Sequence, residues 1–145
     1  MVGRRQKLRI FVDSSVLFAA VCSPVGGSAK LFTLGDVILT ASLVVLAEVE
    51  RNVRAKLEDY HLDRFFLLAS KLNVIEQSPD NDLVVRAKKV IVEKDAVILA
   101  EAKNSGVEIL VTLDRKHFLA PLVRKFFRPG KIMTPKEVLE EWFSR

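Results

Sequence analysis

Two aspartates end apolar runs in the same way. Asp13 closes the run in FVDSSVL, and Asp114 closes the run in VTLDRKHF. Taken singly, each suits the start of the helix that follows a strand, where a carboxylate caps free N–H groups. Brought to one rim, two carboxylates repel and raise each other's pKa. A hard divalent cation removes that repulsion and is the usual reason for such a cluster. Two further acids are candidates. Asp95 opens KDAVILAEA, where a helix-capping role is equally open. Glu48 sits in VVLAEVERNV, two residues before Glu50. On a helical wheel Glu48 points away from the stripe of Leu46, Val49, Val53 and Leu57, so a solvated side chain is its default. Glu50 lies nearer that stripe and is a rival.

A pocket of carboxylates that acts on a polyanion needs a basic rim. Arg115, Lys116 and His117 follow Asp114 directly, and Arg124, Lys125, Arg128 and Lys131 form a second group. A solvated basic face is the competing reading of the second group. His117 reads as a surface residue in preference to a general acid.

The elements that must position these residues follow from the apolar periodicity. Residues 8–12 are too short for a helix and suit a buried strand ending at Asp13. Residues 16–22 and 28–34 read as helices split by a Pro-Gly-Gly loop. A strand at 37–40 leads to Ser42, a helix cap, and to a long helix carrying the stripe just named. Residues 62–70 read as a helix and 72–76 as a strand. An amphipathic helix follows from Asp80 to about Val92, and a second helix, rich in Ala and Leu, from about Asp95 to Asn104, stopped by Gly106. Residues 107–112 form a strand ending just before Asp114. A last strand at 131–133 leads into Pro135, suited to the first turn of a closing helix. Strands apolar on both faces, alternating with helices, imply an α/β fold with a parallel sheet covered on both sides. Ligands of such sheets bind beyond the carboxyl ends of the strands, where Asp13 and Asp114 fall.

The 145 residues suit a single domain spanning 1–145. Half of them are apolar, enough for one core. The 23 lysines and arginines against 18 aspartates and glutamates leave a net charge of +5, which favours a polyanionic partner. Cys22 is the single cysteine, so no internal disulfide forms, and Cys22, His61 and His117 do not make a zinc site. Arg4, Arg5 and Lys7 precede an apolar stretch in the manner of a signal peptide. Arg9 and Asp13-Ser14-Ser15 break that stretch, and the reading is a cytoplasmic protein without a membrane span.

Four segments, in order, resemble the PIN-domain family, which includes the toxin nucleases of many toxin–antitoxin pairs. They are Phe11-Val12-Asp13-Ser14-Ser15-Val16-Leu17, then Leu46-Ala47-Glu48, then Asp95 to Ala102 as Asp-Ala-x-Ile-Leu-Ala-x-Ala, then Thr112-Leu113-Asp114-Arg115-Lys116-His117-Phe118. The resemblance runs from about Leu8 to Phe143, and the last two segments are its specific part. It implies a PIN-like three-layer α/β/α sandwich around a parallel sheet of about five strands. It implies that Asp13, Glu48, Asp95 and Asp114 meet in one pocket around one or two Mg²⁺ or Mn²⁺ ions, and it selects Glu48 over Glu50. Thr112 and Ser14 match supporting hydroxyl positions. The implied activity is metal-dependent hydrolysis of RNA phosphodiester bonds, with Asp13 and Asp114 as main ligands. Asp95 and Glu48 then serve as further ligands or orient the water. Arg115, Lys116, Arg124 and Lys125 are the expected RNA contacts. An antitoxin partner and a homodimer are further implications. Phe65, Phe66, Leu67 and Leu68 look like an apolar surplus suited to an interface.

Rival readings fit less well. A haloacid-dehalogenase-type phosphatase wants a second Asp where Ser15 stands. A phosphoacceptor receiver domain wants paired acids after its first strand and a late Lys. A non-catalytic RNA-binding or protein-interaction module, with the carboxylates serving as caps, is the alternative of a different class.

Overall fold

The computed structural model describes residues 7–143, so Arg4 and Arg5 lie outside the described residues. Five parallel strands form one sheet in the order β3-β2-β1-β4-β5. They are β1 (Leu8–Val12), β2 (Val37–Ser42), β3 (Asn73–Ile75), β4 (Ile109–Val111) and β5 (Lys131–Met133). Ile10, Phe11, Val12, Ile109, Leu110 and Val111 are buried, as the unbroken apolar runs require of central strands. The expected α/β fold with a parallel sheet of about five strands is present.

Helices cover both faces. From β1 the chain steps outward to β2 and β3 through α1 (Ser14–Cys22), α2 (Gly27–Leu31), α3 (Leu43–Lys56) and α4 (Asp59–Ala69). These pack together as one layer. The chain then returns to β4 through α5 (Asn81–Lys88) and α6 (Glu93–Asn104), and continues to β5 through α7 (Pro121–Phe127). Right-handed crossovers in the opposite direction place these on the other face. The Phe126 ring lies beneath Arg86 of α5 and Lys103 of α6, which ties α7 to that layer. The closing helix, α8 (Pro135–Val138), extends through a wider turn to Phe143 and packs on α2. The direction of winding reverses between β1 and β4. In open α/β sheets that point leaves a crevice at the carboxyl ends of the two strands.

Local chemistry explains most element ends. The Ser42 side chain accepts a hydrogen bond from the Val45 N–H, as an N-cap should. Gly106 stands just past α6 at φ 72°, a left-handed conformation that favours glycine. Thr134 and Glu137 form a reciprocal capping box around Pro135.

Three expectations need correction. The buried stripe of α3 is Val45, Val49 and Val53, while Leu46 and Leu57 are only partly buried. At ~100° per residue this turns the buried face by roughly 45° and brings Glu48 from the back of the helix to its flank. Second, α7 was not expected; it starts with Pro121 and buries only Val123 and Phe127. Third, Phe65 and Leu68 belong to the core, at 2% and 3% exposure, and only Phe66 and Leu67 face outward. Phe65 and Leu68 are three apart, so they share the inner face of α4.

Candidate metal centre

Asp13 is the innermost of the four acids. Its N–H continues the ladder to the Val111 carbonyl at 3.0 Å, which fixes it directly beyond β1. It occupies the N-cap position of α1, yet its side chain makes no cap hydrogen bond. Instead Oδ2 accepts from the hydroxyls of Ser15 and Thr112, each at 2.8 Å. Burial pushes this carboxyl up, against the two hydroxyls, and the nearby Glu48 adds to the rise. The hydroxyls also brace the neighbouring strand end. Thr112 Oγ1 accepts from the Asp114 N–H at 3.0 Å, and Ser15 Oγ from the Leu113 N–H at 3.0 Å.

Glu48 reaches the same place from α3. Its Oε2 accepts from the Ser14 hydroxyl at 3.0 Å. Glu50 instead pairs with Arg54 at 3.0 Å on the exposed side. The wheel set Glu50 nearer the stripe because that stripe was centred too far toward it; about Val45, Val49 and Val53 the two acids lie on opposite flanks.

Asp95 lies inside the first turn of α6, whose N-cap is Val92, so it is not the helix cap. Its Oδ2 is buried and makes no hydrogen bond. Burial raises its pKa; Lys94 opposes the rise, while Asp13 and Asp114 add to it. No helix starts directly after Asp114, which closes a turn instead. Its Oδ1 accepts from the His117 N–H at 3.0 Å, and its Oδ2 lies 2.9 Å from His117 Nδ1. Burial pushes Asp114 up, but the backbone and ring bonds from His117 outweigh it and hold the carboxyl below its ordinary value. His117 is therefore no free surface residue.

Asp13, Glu48, Asp95 and Asp114 all line one cleft of about 210 Å³, together with Ser14, Ser15, Asn52 and Lys94. Asp95 and Asp114 from this lining, with His117 beside Asp114, each offer a ligand atom, and these atoms lie within 4.8 Å of one another. That grouping suits a divalent cation: carboxylate oxygens match hard ions, and an imidazole is compatible with Mn²⁺. The orphaned Oδ2 of Asp95 fits the same conclusion, since a buried carboxylate oxygen ordinarily finds a partner. Asn52 and Lys94 were missed as cleft residues, and their signals were spacing alone: four after Glu48, and next to Asp95.

The basic candidates are spread more widely. Arg115, Lys116, Arg124 and Lys125 are exposed. Arg124 donates to the Leu119 carbonyl and lines a larger groove, of about 790 Å³, beside β5 and away from the acids.

Several solved structures share the fold. VapBC2 from Rickettsia felis, bound to a DNA fragment from its promoter, aligns with a TM-score of 0.69 at 16% identity, over 88% of this chain and 98% of that one. PAE2754 from Pyrobaculum aerophilum aligns at 0.62 and 20% identity, over 92% and 88%. The sarcin–ricin loop cleaving toxin VapC20 from Mycobacterium tuberculosis aligns at 0.53 and 18% identity, over 74% and 91%. No curated protein matches the sequence. The family model of the PIN domain matches residues 10–121, more than half of the chain, and the chain belongs to the PIN-domain family.

Proposed function

We propose that this PIN domain is a metal-dependent endoribonuclease that hydrolyses RNA phosphodiester bonds with Mg²⁺ or Mn²⁺. The observation that carries the reading is the partnerless buried oxygen of Asp95 beside Asp114 and His117, in a cleft also lined by Asp13 and Glu48. Asp13, Asp95, Asp114 and Glu48 are the proposed ligand set for one or two ions. A bound ion of this kind lowers the pKa of water by several units and offsets charge on phosphate oxygens.

The side chains of the chain divide the remaining work. Ser15 and Thr112 hold the Asp13 carboxylate by one oxygen, and Ser14 holds Glu48. Thr112 also fixes the Asp114 backbone, so Thr112 and Ser14 are positioning residues. His117 fixes the Asp114 carboxylate. Lys94, in the cleft beside Asp95, is a cation suited to a phosphate oxygen. Arg115, Lys116, Arg124 and Lys125 draw the polyanion toward the acids. Attack by water leaves a 5′-phosphate and a 3′-hydroxyl, with no role for the 2′-hydroxyl. End-group analysis of cleaved RNA tests this directly: a 2′,3′-cyclic phosphate sinks the mechanism. A non-catalytic module instead leaves RNA uncut and shows no Mn²⁺ response.

The domain is proposed as the toxin of a cytoplasmic toxin–antitoxin pair and as a homodimer. Two proteins of similar fold bear on the reading: VapBC2 from Rickettsia felis, bound to a DNA fragment from its promoter, and the sarcin–ricin loop cleaving toxin VapC20. No described helix is long and apolar enough to cross a membrane. On α3 and α4, Leu43, Tyr60, Phe66 and Leu67 are each half or more exposed, an apolar surplus suited to a protein partner. Phe66→Asp is expected to lower the solution mass or to abolish antitoxin capture while the melting temperature holds. An unchanged mass together with undiminished capture removes this face from the proposal.

A further inference from the structure

A second groove adjoins the acidic cleft where α5 hands over to α6. It holds about 380 Å³ and is lined by Lys88, Lys89 and Lys116, by His117, and by an apolar floor that includes Val90 and Val92. No carboxylate is among its lining residues. The larger groove beside β5 is different, because Glu137 and Glu141 stand there among Arg124, Arg128 and Lys131. Lys131 and Glu141 are 3.7 Å apart, so that groove offsets its own charge. Among the described residues, Lys88 is the one lysine of the α5–α6 groove with an ion-pair partner close by, Glu93 at 3.6 Å. That pair is exposed, contributes little, and gives way readily to a phosphate. His117 belongs to both places: it lines this groove and pairs with Asp114 in the cleft. Lys116 lies two residues beyond Asp114, so a chain lying in the groove enters the cleft directly.

We propose that the α5–α6 groove seats the sugar–phosphate backbone of single-stranded RNA next to the bond being cut, with Lys88, Lys89 and Lys116 on its phosphates. The inference rests on the nuclease reading and adds the path of the substrate. The chemistry of the lining sets what is read. Lysine ammoniums are point charges without the planar fork that distinguishes bases. The lining has no amide, carboxylate or guanidinium to pair with a base edge. The groove therefore positions the strand and leaves base sequence unread. A positively charged groove that tracks the backbone suits a single strand bound without sequence preference.

The test is binding of short fluorescent single-stranded RNA, followed by anisotropy in EDTA, so that no cleavage or bound metal is required. For single strands log K falls with log salt by about 0.7 per phosphate contact. Lys88→Gln/Lys89→Gln is expected to flatten the slope by about 1.4 and to weaken binding roughly 20-fold at about 0.1 M salt. Oligo(U) and oligo(A) are expected to lose alike. Lys116→Gln is expected to flatten the slope by about 0.7, and Lys88→Arg/Lys89→Arg to restore both affinity and slope. Folding is checked by an unchanged melting curve, as expected for exposed lysines. Unchanged affinity and slope in both glutamine variants overturn the groove, as does a loss confined to one base sequence or a wild-type chain that binds no RNA. Failure of the nuclease reading looks different: RNA binds with the same lysine dependence in EDTA but stays intact when Mn²⁺ is added.

Discussion

The amino and carboxyl ends of β1 and β4 handle charge in opposite ways. At the amino end, the Glu108 carboxylate accepts from the Arg9 N–H at 2.8 Å, and the Arg9 guanidinium donates to the Gly106 carbonyl at 2.7 Å. Each charge there is tied to a neighbour's backbone. At the carboxyl end the same two strands lead into Asp13 and Asp114, and Glu48 and Asp95 join them from α3 and α6. The cations facing that group are Lys94 and, when protonated, His117. One rim closes its electrostatics with its own atoms, whereas the other leaves a buried carboxylate oxygen without a partner. Partnered charge reads as structure, and unpartnered charge at a topological switch point reads as a binding site.

The strongest way to break this contrast is to neutralise the acidic rim. Asp13→Asn and Asp114→Asn are each expected to lower RNA cleavage by ~10²-fold or more, since charge stabilisation by a bound ion amounts to several kcal/mol. Asp13→Asn is expected to keep or gain stability without metal, because burial and Glu48 disfavour that charge, whereas Asp114→Asn is expected to lose a little, because His117 favours the Asp114 charge. Wild-type protein is expected to melt higher with Mn²⁺, by about 2.7 kcal/mol of stabilisation at 100-fold excess over Kd. The two variants are expected to lose most of that shift. Glu108→Gln, at the partnered rim, is expected to retain it. Glu48→Gln is expected to be defective and Glu50→Gln nearly silent. A Glu50 variant more damaged than the Glu48 variant removes Glu48 from the ligand set.

A smaller effect sharpens the role of the hydroxyls. Thr112→Val keeps the shape of a fully buried side chain but removes its donation to Asp13 and its acceptance from the Asp114 N–H. Leaving buried polar groups short of partners costs about 1–3 kcal/mol, so the melting temperature is expected to fall. Activity is expected to fall with Mn²⁺ affinity, and to recover in part in Thr112→Ser. If Thr112→Val loses stability alone and keeps its metal affinity, Thr112 is structural and positions nothing.

What was legible in the sequence follows from the range over which each signal acts. The strand-end aspartates were readable because a buried strand announces itself by an unbroken apolar run, and the residue after it is then fixed at the sheet rim. The sheet followed for the same reason. Glu48 was not readable from the helix alone. Leu46 and Leu57 are as apolar as Val45, so composition did not say which residues α3 would bury, and the flank carrying Glu48 depended on that choice. The family resemblance resolved it. His117 escaped because its partner is set by a tight turn after Asp114, which no periodicity reports. Phe65 and Phe66 are equally apolar neighbours, yet α4 buries one and exposes the other. Helix α7 was too short to establish a period, although Pro121 followed six residues later by Phe127 marks its ends.

The smallest expected effect tests whether unpartnered acids outside the cleft carry the same signature. Glu101 is buried on α6, its Oε1 has no hydrogen-bond partner, and it lies outside the cleft lining. Burial raises its pKa above the ordinary 4.5, and the Ser42 hydroxyl only partly opposes the rise. A raised carboxyl means that the native state holds its proton to higher pH than the unfolded chain does. Its contribution is therefore most favourable below about pH 4.5 and declines as pH rises through the folded value, above which the full penalty is present. Asp13 and Asp95 shift in the same direction, so the wild-type pH profile alone does not isolate Glu101. The difference between Glu101→Gln and wild type does. That difference in melting temperature is expected to be positive at pH 8, to shrink as pH falls, and to vanish or reverse near pH 4. Mn²⁺ is expected to leave the difference unchanged, because Glu101 lies outside the proposed ligand set. A Glu101→Gln variant that abolishes the Mn²⁺ shift instead makes Glu101 part of the metal site, and the boundary between partnered and unpartnered charge has to be redrawn deeper along α6.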